Sequence, residues 1–145
     1  MKLSAILPSY KDKYNKNTVE GILANSGLGD DLEIIVVMDG VWMPKDWIVN
    51  DPRVRYVHLG KNRGMRGAIN AGVALAQSEF IMRADEHILF GPDFAKIITD
   101  ACQPNEICTA VRYFLDPVKW ERMDIPPYIY EKLKIRGGDE EKQKF

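Results

Sequence analysis

The stretch Leu32-Glu33-Ile34-Ile35-Val36-Val37-Met38-Asp39-Gly40 decides the architecture. It is rich in β-branched residues and almost continuously apolar, the signature of a strand buried on both faces, whereas a half-exposed strand alternates. Such a strand needs cover above and below. Upstream, Leu3 to Leu7 reads as a second buried strand, stopped by Pro8. Between the two, Asn17-Thr18-Val19-Glu20 has the form of a capping box, Val19, Ile22 and Leu23 share one helical face, and Gly27 ends the helix. The order is β-α-β from the start.

Downstream the alternation continues. Pro44 is expected to open a short helix through Ile48, and Val54 to Leu59 reads as a third strand. Met65, Ala68, Ile69, Gly72, Val73 and Ala76 line one face of a helix. Gly67 and Gly72 each weaken that helix by about 1 kcal/mol relative to alanine, which points to close packing against a strand or a ligand. Phe80 to Ala84 is a strand that runs into Asp85-Glu86-His87. Pro92 and Asp93 open a further helix with Phe94, Ile97, Ile98 and Ala101 inward, and Ile107 to Leu115 reads as another strand. A short helix is expected over Tyr128 to Ile135, and Gly137 to Lys144 is polar and glycine-led. Strands alternating with helices give an α/β protein with a mostly parallel central sheet flanked by helices. The expected organisation is a core over 1–116, a short helical extension over 117–136 and a flexible tail over 137–145.

Composition narrows the function. The 145 residues suffice for one compact domain, and 46% apolar with 28% charged residues is a globular balance. Lys and Arg total 20 against 21 for Asp and Glu, so no overall field draws the chain to nucleic acid or an anionic membrane. No apolar run approaches the roughly 20 residues of a membrane span. Nothing resembles an export signal, so a cytoplasmic location is expected. Cys102 and Cys108, with the distant His58 and His87, do not have the spacing of a structural zinc site; buried free thiols are the expectation.

In open parallel sheets ligands gather beyond the carboxyl ends of the strands. Four such ends here are unusually polar: Pro8-Ser9-Tyr10-Lys11, Asp39-Gly40, Gly60 to Gly64 with Arg66, and Asp85-Glu86-His87. None carries the dinucleotide glycine fingerprint or the Lys-Ser/Thr ending of a phosphate loop. Asp85 and His87 stand two apart just after a strand, so both can point to one side and hold a divalent cation. Manganese suits that mixed oxygen and imidazole set. Such a cation would neutralise charge on a departing diphosphate. The same pair also reads as a turn cap beside a partly buried histidine. Asp39 can accept a hydrogen bond from the imide of a uracil base or simply close an Asp-Gly turn. Tyr10 can lie flat against a base or pack at a rim. Lys11, Lys13 and Lys16 read as a solvated loop. Arg63 and Arg66, at a helix start whose free N–H groups attract anions, fit either a diphosphate or plain solvent exposure.

Taken jointly, in this order and at these intervals, four blocks resemble a GT-A glycosyltransferase of the family-two type. They are Leu3 to Tyr10, Glu33 to Gly40, Asn62 to Gly72 and Glu79 to His87, and the resemblance covers about residues 3 to 115. It implies a GT-A fold, truncated relative to family members, that binds a UDP-sugar. By the same resemblance Pro8, Tyr10 and Asp39 hold the nucleoside. Asn62, Gly64, Arg66 and Asn70 lie near the base and diphosphate. The family's Asp-X-Asp metal element reads here as Asp85-Glu86-His87, a variant similar to that of the polypeptide N-acetylgalactosaminyltransferases, which implies Asp85 and His87 as ligands of Mn2+ or Mg2+. The sequence departs from the pattern where Met38 replaces the first of two usual acids. It also ends before the part that supplies the acceptor site and base, and Gly137-Gly138-Asp139-Glu140-Glu141 matches the family's late acidic motif only faintly.

Three function classes follow. The first is a minimal, metal-dependent glycosyltransferase in which an acceptor hydroxyl, of a saccharide, protein or other molecule, displaces the diphosphate with inversion. Its general base is open among Glu86, Asp116, Asp124 and Asp139 by residue type. A second copy of the chain or a partner protein could instead complete the acceptor site. The second class is a nucleotide-sugar-binding module or truncated remnant without catalysis, and the third is an α/β interaction domain with ordinary loops.

Overall fold

A computed structural model describes residues 1–127 of the chain. Residues 1–108 form one compact unit and a second begins at Thr109. The first unit contains β1 (Leu3–Ser9), α1 (Asn15–Asn25), β2 (Leu32–Asp39), β3 (Val54–Leu59), α2 (Gly64–Val73), β4 (Phe80–Arg83) and α3 (Phe94–Ala101). Its four strands make one parallel sheet in the order β3-β2-β1-β4. Leu3 is registered against both Leu32 and Phe80, so β1 and β2 are the interior strands. Their near-continuous hydrophobicity is the direct consequence.

The pleat divides the apolar residues between two cores. Leu3, Ala5 and Leu7 with Leu32, Ile34, Val36 and Met38 pack with Val19 and Ile22 of α1 and Ala95 of α3. On the opposite face Ile6, Ile35 and Val37 pack with Ala68 of α2. Gly72 explains how closely α2 sits: a Cβ there would lie 2.5 Å from Ile6 Cγ2 and 3.1 Å from Val37 Cγ2. The glycine that weakens the helix is what lets it lie on the sheet. Glu33, the one charge within the β2 apolar run, is buried on this α2 face, where Ser4 Oγ donates to it at 3.0 Å and Arg55 Nη2 at 2.8 Å. Removing either donor would expose the cost of a buried carboxylate.

Several local expectations are corrected. Asn17 does not cap α1, which begins two residues earlier at Asn15; Asp12 marks the start instead, its Oδ1 accepting from Tyr14 N–H at 2.9 Å and its carbonyl from Asn15 N–H. The Pro44 segment forms a single 3-10 turn, Lys45–Trp47, too short for an α-helix. In α3 the buried positions are Ala95 and Thr99, while Ile97 is 63% exposed and Ala101 is also outward. Residues 107–114 do not form the expected continuous strand: Ile107 and Val111 are exposed, Arg112 makes an isolated bridge, and Leu115–Asp116 (β5) pairs antiparallel to Glu121–Arg122 (β6). Cys102 and Cys108 are joined as a disulfide, not held as buried free thiols, because a turn with Asn105 at φ 68° folds the six-residue separation back on itself. The expected helix at 128–135 and tail at 137–145 lie outside the described residues. Among the described residues no helix is long and apolar enough to cross a membrane.

Candidate functional site

The sheet order places α1 and α2 on opposite faces of β1, so the chain changes direction at that strand and opens a crevice above its carboxyl end. A cavity of about 330 Å³ lies there. Its lining comes from every strand end near the switch: Pro8, Ser9 and Tyr10 after β1, Asp39 after β2, Asn62, Gly64, Met65 and Ala68 around the start of α2, and Asp85, Glu86 and His87 after β4. The structure therefore brings together Pro8, Tyr10, Asp39, Asn62, Gly64, Asp85 and His87. It does not bring Arg66 or Asn70 to the lining; both are exposed on α2.

Asp39 ends a buried strand and is only 4% exposed. Its Oδ1 accepts from Arg63 N–H at 2.6 Å, and Asn62 Oδ1 in turn accepts from Gly64 N–H at 3.0 Å. Two side chains thus hold down backbone N–H groups at the start of α2. The approach is close because residue 40 is glycine: at φ 75°, an added Cβ would fall 2.3 Å from Asn62 N and 2.7 Å from Lys61 C. Tyr10 stands at the opposite wall, 56% exposed, with its ring available as a stacking surface.

Asp85, Glu86 and His87 play separate parts. Glu86 is buried, and its carboxylate accepts from Tyr10 N–H at 2.8 Å and from Asn15 Nδ2 at 3.1 Å. Burial raises its pKa above the ordinary glutamate range, opposed by those hydrogen bonds. Asp85 is paired with the Arg83 guanidinium. His87 Nδ1 lies 2.8 Å from Asp12 Oδ2. An ionised carboxylate only accepts, so this contact puts a proton on Nδ1, and in the neutral ring Nε2 then carries the lone pair. One carboxylate and one imidazole nitrogen on the wall of one cavity are a chemically fitting pair of donors for Mn2+ or Mg2+, with diphosphate oxygens to complete the shell. A group of three potential donor residues drawn within 4.8 Å occurs elsewhere, at Cys102, Glu106 and Cys108, where the two sulfurs are bonded to each other.

Among the described residues, the remaining base candidates belong to the second unit. Asp116 belongs to the second unit, where its Oδ1 accepts from Val118 and Lys119 N–H in a turn. Asp124 is exposed. Asp139 lies outside the described residues. Sequence reasoning missed Asp12, Asn15 and Arg83, the polar neighbours that hold the cavity residues, and the wall residues Met65 and Ala68. An aspartate three residues before a helix start was the available signal for Asp12.

Comparison with known proteins agrees with the topology. Residues 4–144 match the family described as Glycosyl transferase family 2. Among curated proteins none matches. Among solved structures, S. aureus TarS superposes with a TM-score of 0.61 at 23% identity over 69% of this chain and 19% of its own. TarS 1-349 in complex with UDP-GlcNAc gives 0.54 at 22% identity, over 70% of this chain and 30% of its own. The mannosyltransferase PcManGT from Pyrobaculum calidifontis, in complex with GDP-Man and Mn2+, gives 0.63 at 18% identity, over 82% of this chain and 37% of its own. At such identities the likeness is one of fold, the GT-A arrangement of a parallel sheet between helices, and the chain spans less than two fifths of the length of each. With the cavity and all of the parallel sheet but Leu3 inside the matched span, the chain belongs to glycosyl transferase family 2.

Proposed function

We propose that the cavity binds a UDP-sugar with a divalent cation and that the chain transfers the sugar to an acceptor hydroxyl with inversion. The observation that carries this is the meeting of Asp39, Tyr10, Asp85 and His87 on one cavity from three separate strand ends. Asp39, with Oδ1 engaged by Arg63 N–H, accepts from the uracil imide through its other oxygen, and Tyr10 stacks on the base. The start of α2, with Arg63 and Gly64 N–H already held by Asp39 and Asn62, borders the diphosphate. Asp85 and His87, in the Asp-X-His form, hold the cation, which when bound offsets charge on the leaving diphosphate. Two of the solved structures of the same fold carry UDP-GlcNAc and GDP-Man with Mn2+, which supports a nucleotide-sugar donor and a cation of this kind.

A second reading, a nucleotide-sugar-binding module without turnover, is favoured by one observation. The three carboxylates of the cavity are all engaged: Asp39 by Arg63 N–H, Asp85 by Arg83 and Glu86 by Tyr10 and Asn15. None of them is poised as a base for the acceptor. One experiment addresses both readings. Melting temperature is followed with UDP, GDP and CDP, each with Mn2+, Mg2+ or chelator, together with release of UDP from UDP-sugars. UDP with Mn2+ is expected to stabilise most, by RT ln(1 + [L]/Kd), and Asp85→Ala and His87→Ala to abolish the metal-dependent part. Stabilisation without donor turnover selects the binding module. Full metal-dependent stabilisation in both variants, or no response to any nucleotide, defeats both readings.

A further inference from the structure

The contact between His87 and Asp12 joins residues 75 apart in sequence. Through it the loop after β1 reaches a proposed cation ligand directly. That loop turns through Lys11, a left-handed residue at φ 62°, and Asp12 follows with both carboxylate oxygens engaged. Oδ1 accepts from Tyr14 N–H at 2.9 Å, which anchors the carboxylate at the start of α1, and Oδ2 meets His87 Nδ1 at 2.8 Å. The partner on the other side of the motif is different in kind: Asp85 is met by the cationic Arg83. A carboxylate on one ring nitrogen of a histidine whose side chain borders a cavity is the arrangement that fixes an imidazole's tautomer and orientation for a metal on the other nitrogen.

We propose that Asp12 is a positioning residue, holding the His87 proton on Nδ1 so that Nε2 is presented as a lone-pair donor to a divalent cation shared with Asp85. This rests on the cation reading above. Asp12 touches neither donor sugar nor cation; it acts through the ring.

The test separates that role from the helix-start role of the same side chain. In Asp12→Asn the amide oxygen still accepts from Tyr14 N–H, so the turn survives, but Nδ2 then faces His87 Nδ1. Two donors cannot share one hydrogen bond, so the ring proton moves to Nε2 and the lone pair is lost to the cation. Nitrogen-15 NMR of the metal-free protein reports the tautomer directly, with the ring neutral. Only His58 and His87 contribute, and His87→Gln assigns them. The wild type is expected to show the Nδ1–H form at His87 and Asp12→Asn the Nε2–H form. Mn2+ affinity in the presence of UDP, measured by electron paramagnetic resonance, is expected to fall about 10–100-fold in Asp12→Asn at nearly unchanged melting temperature, the range found for such outer partners. Asp12→Ala should weaken Mn2+ as well, with a loss of thermal stability from the broken turn. An Nε2–H tautomer in the wild type overturns the proposal, as does unchanged Mn2+ affinity in Asp12→Asn. A wild-type Nδ1–H ring in a protein that binds no Mn2+ with UDP overturns the cation reading itself, which the NMR arm tells apart from a failure of Asp12.

Discussion

Gly40→Ala is the sharpest test of how the cavity is built. The residue sits at φ 75°, and its Cβ would lie 2.3 Å from Asn62 N, 2.7 Å from Lys61 C and 3.0 Å from Asn62 Cα. All three are backbone atoms, so no rotamer change relieves the overlap. Left-handed backbone costs an L-residue about 1–2 kcal/mol, and overpacking a fixed site adds about 1–3 kcal/mol, giving an expected destabilisation of about 2–5 kcal/mol. Gly29 provides the internal control, since it has φ 55° with nothing within 4 Å of an added Cβ, so Gly29→Ala carries the backbone term alone, about 1 kcal/mol. Urea unfolding gives both values, with the m-value checking that the denatured state is unchanged. The displaced segment is the one whose Arg63 N–H binds Asp39, so Gly40→Ala is also expected to lose UDP-dependent stabilisation that Gly29→Ala retains. A Gly40→Ala protein no less stable than Gly29→Ala, or one with full UDP response, refutes the close approach of the two loops as a requirement of the site.

Two further outcomes follow from the charges. Arg83 shares Asp85 with any cation, so Arg83→Met is expected to raise Mn2+ affinity by up to about fivefold, the equivalent of the roughly 1 kcal/mol ceiling of an exposed pair; isothermal titration with UDP present measures it, and a weakened affinity contradicts competition. Asp51, beside Arg53, and Asp100, beside Lys2 and Lys96, both have pKa values lowered from 3.8 to about 2. A lowered folded-state value means stabilisation that is complete above about pH 4 and lost as pH falls toward 2. Melting temperature should therefore rise from pH 2 to 4, and Asp51→Asn with Asp100→Asn should flatten that rise; an unaltered slope would remove these pairs from the account.

The interior of the sheet was legible because burial on both faces leaves no choice of residue: β1, β2 and the tight seat of α2 at Gly72 were all readable from apolar continuity and a glycine inside a helix. Boundaries were less so. The start of α1 was misplaced because Asn17-Thr18-Val19-Glu20 satisfies the capping pattern locally, whereas the carboxylate of Asp12 binds Tyr14 N–H first and starts the helix earlier. Ile97 was assigned inward from periodicity, but α3 is short and seats on its small residues Ala95 and Thr99. The segment 107–115 carries β-branched residues, yet among the described residues it pairs only by an isolated bridge at Arg112 and at its last residue, Leu115, and propensity alone does not make a sheet. At the cavity, side chains at strand ends were readable from polarity after apolar runs. Arg66 and Asn70 were not, because helical phase relative to the sheet turns them outward. The roles of Asp12, Arg83 and Glu86 depend on contacts across long separations or on competition between neighbours, which spacing does not encode.

Glu86 lies between Asp85 and His87, with its side chain turned into the protein to grip Tyr10 N–H and Asn15. The middle position of the motif is therefore the rivet of the arrangement. It fastens the loop after β1 to the segment after β4, 76 residues away, with one ionisable side chain. Tyr10 and the Asp85–His87 pair are thereby tied to each other by a side-chain link that does not pass through the sheet.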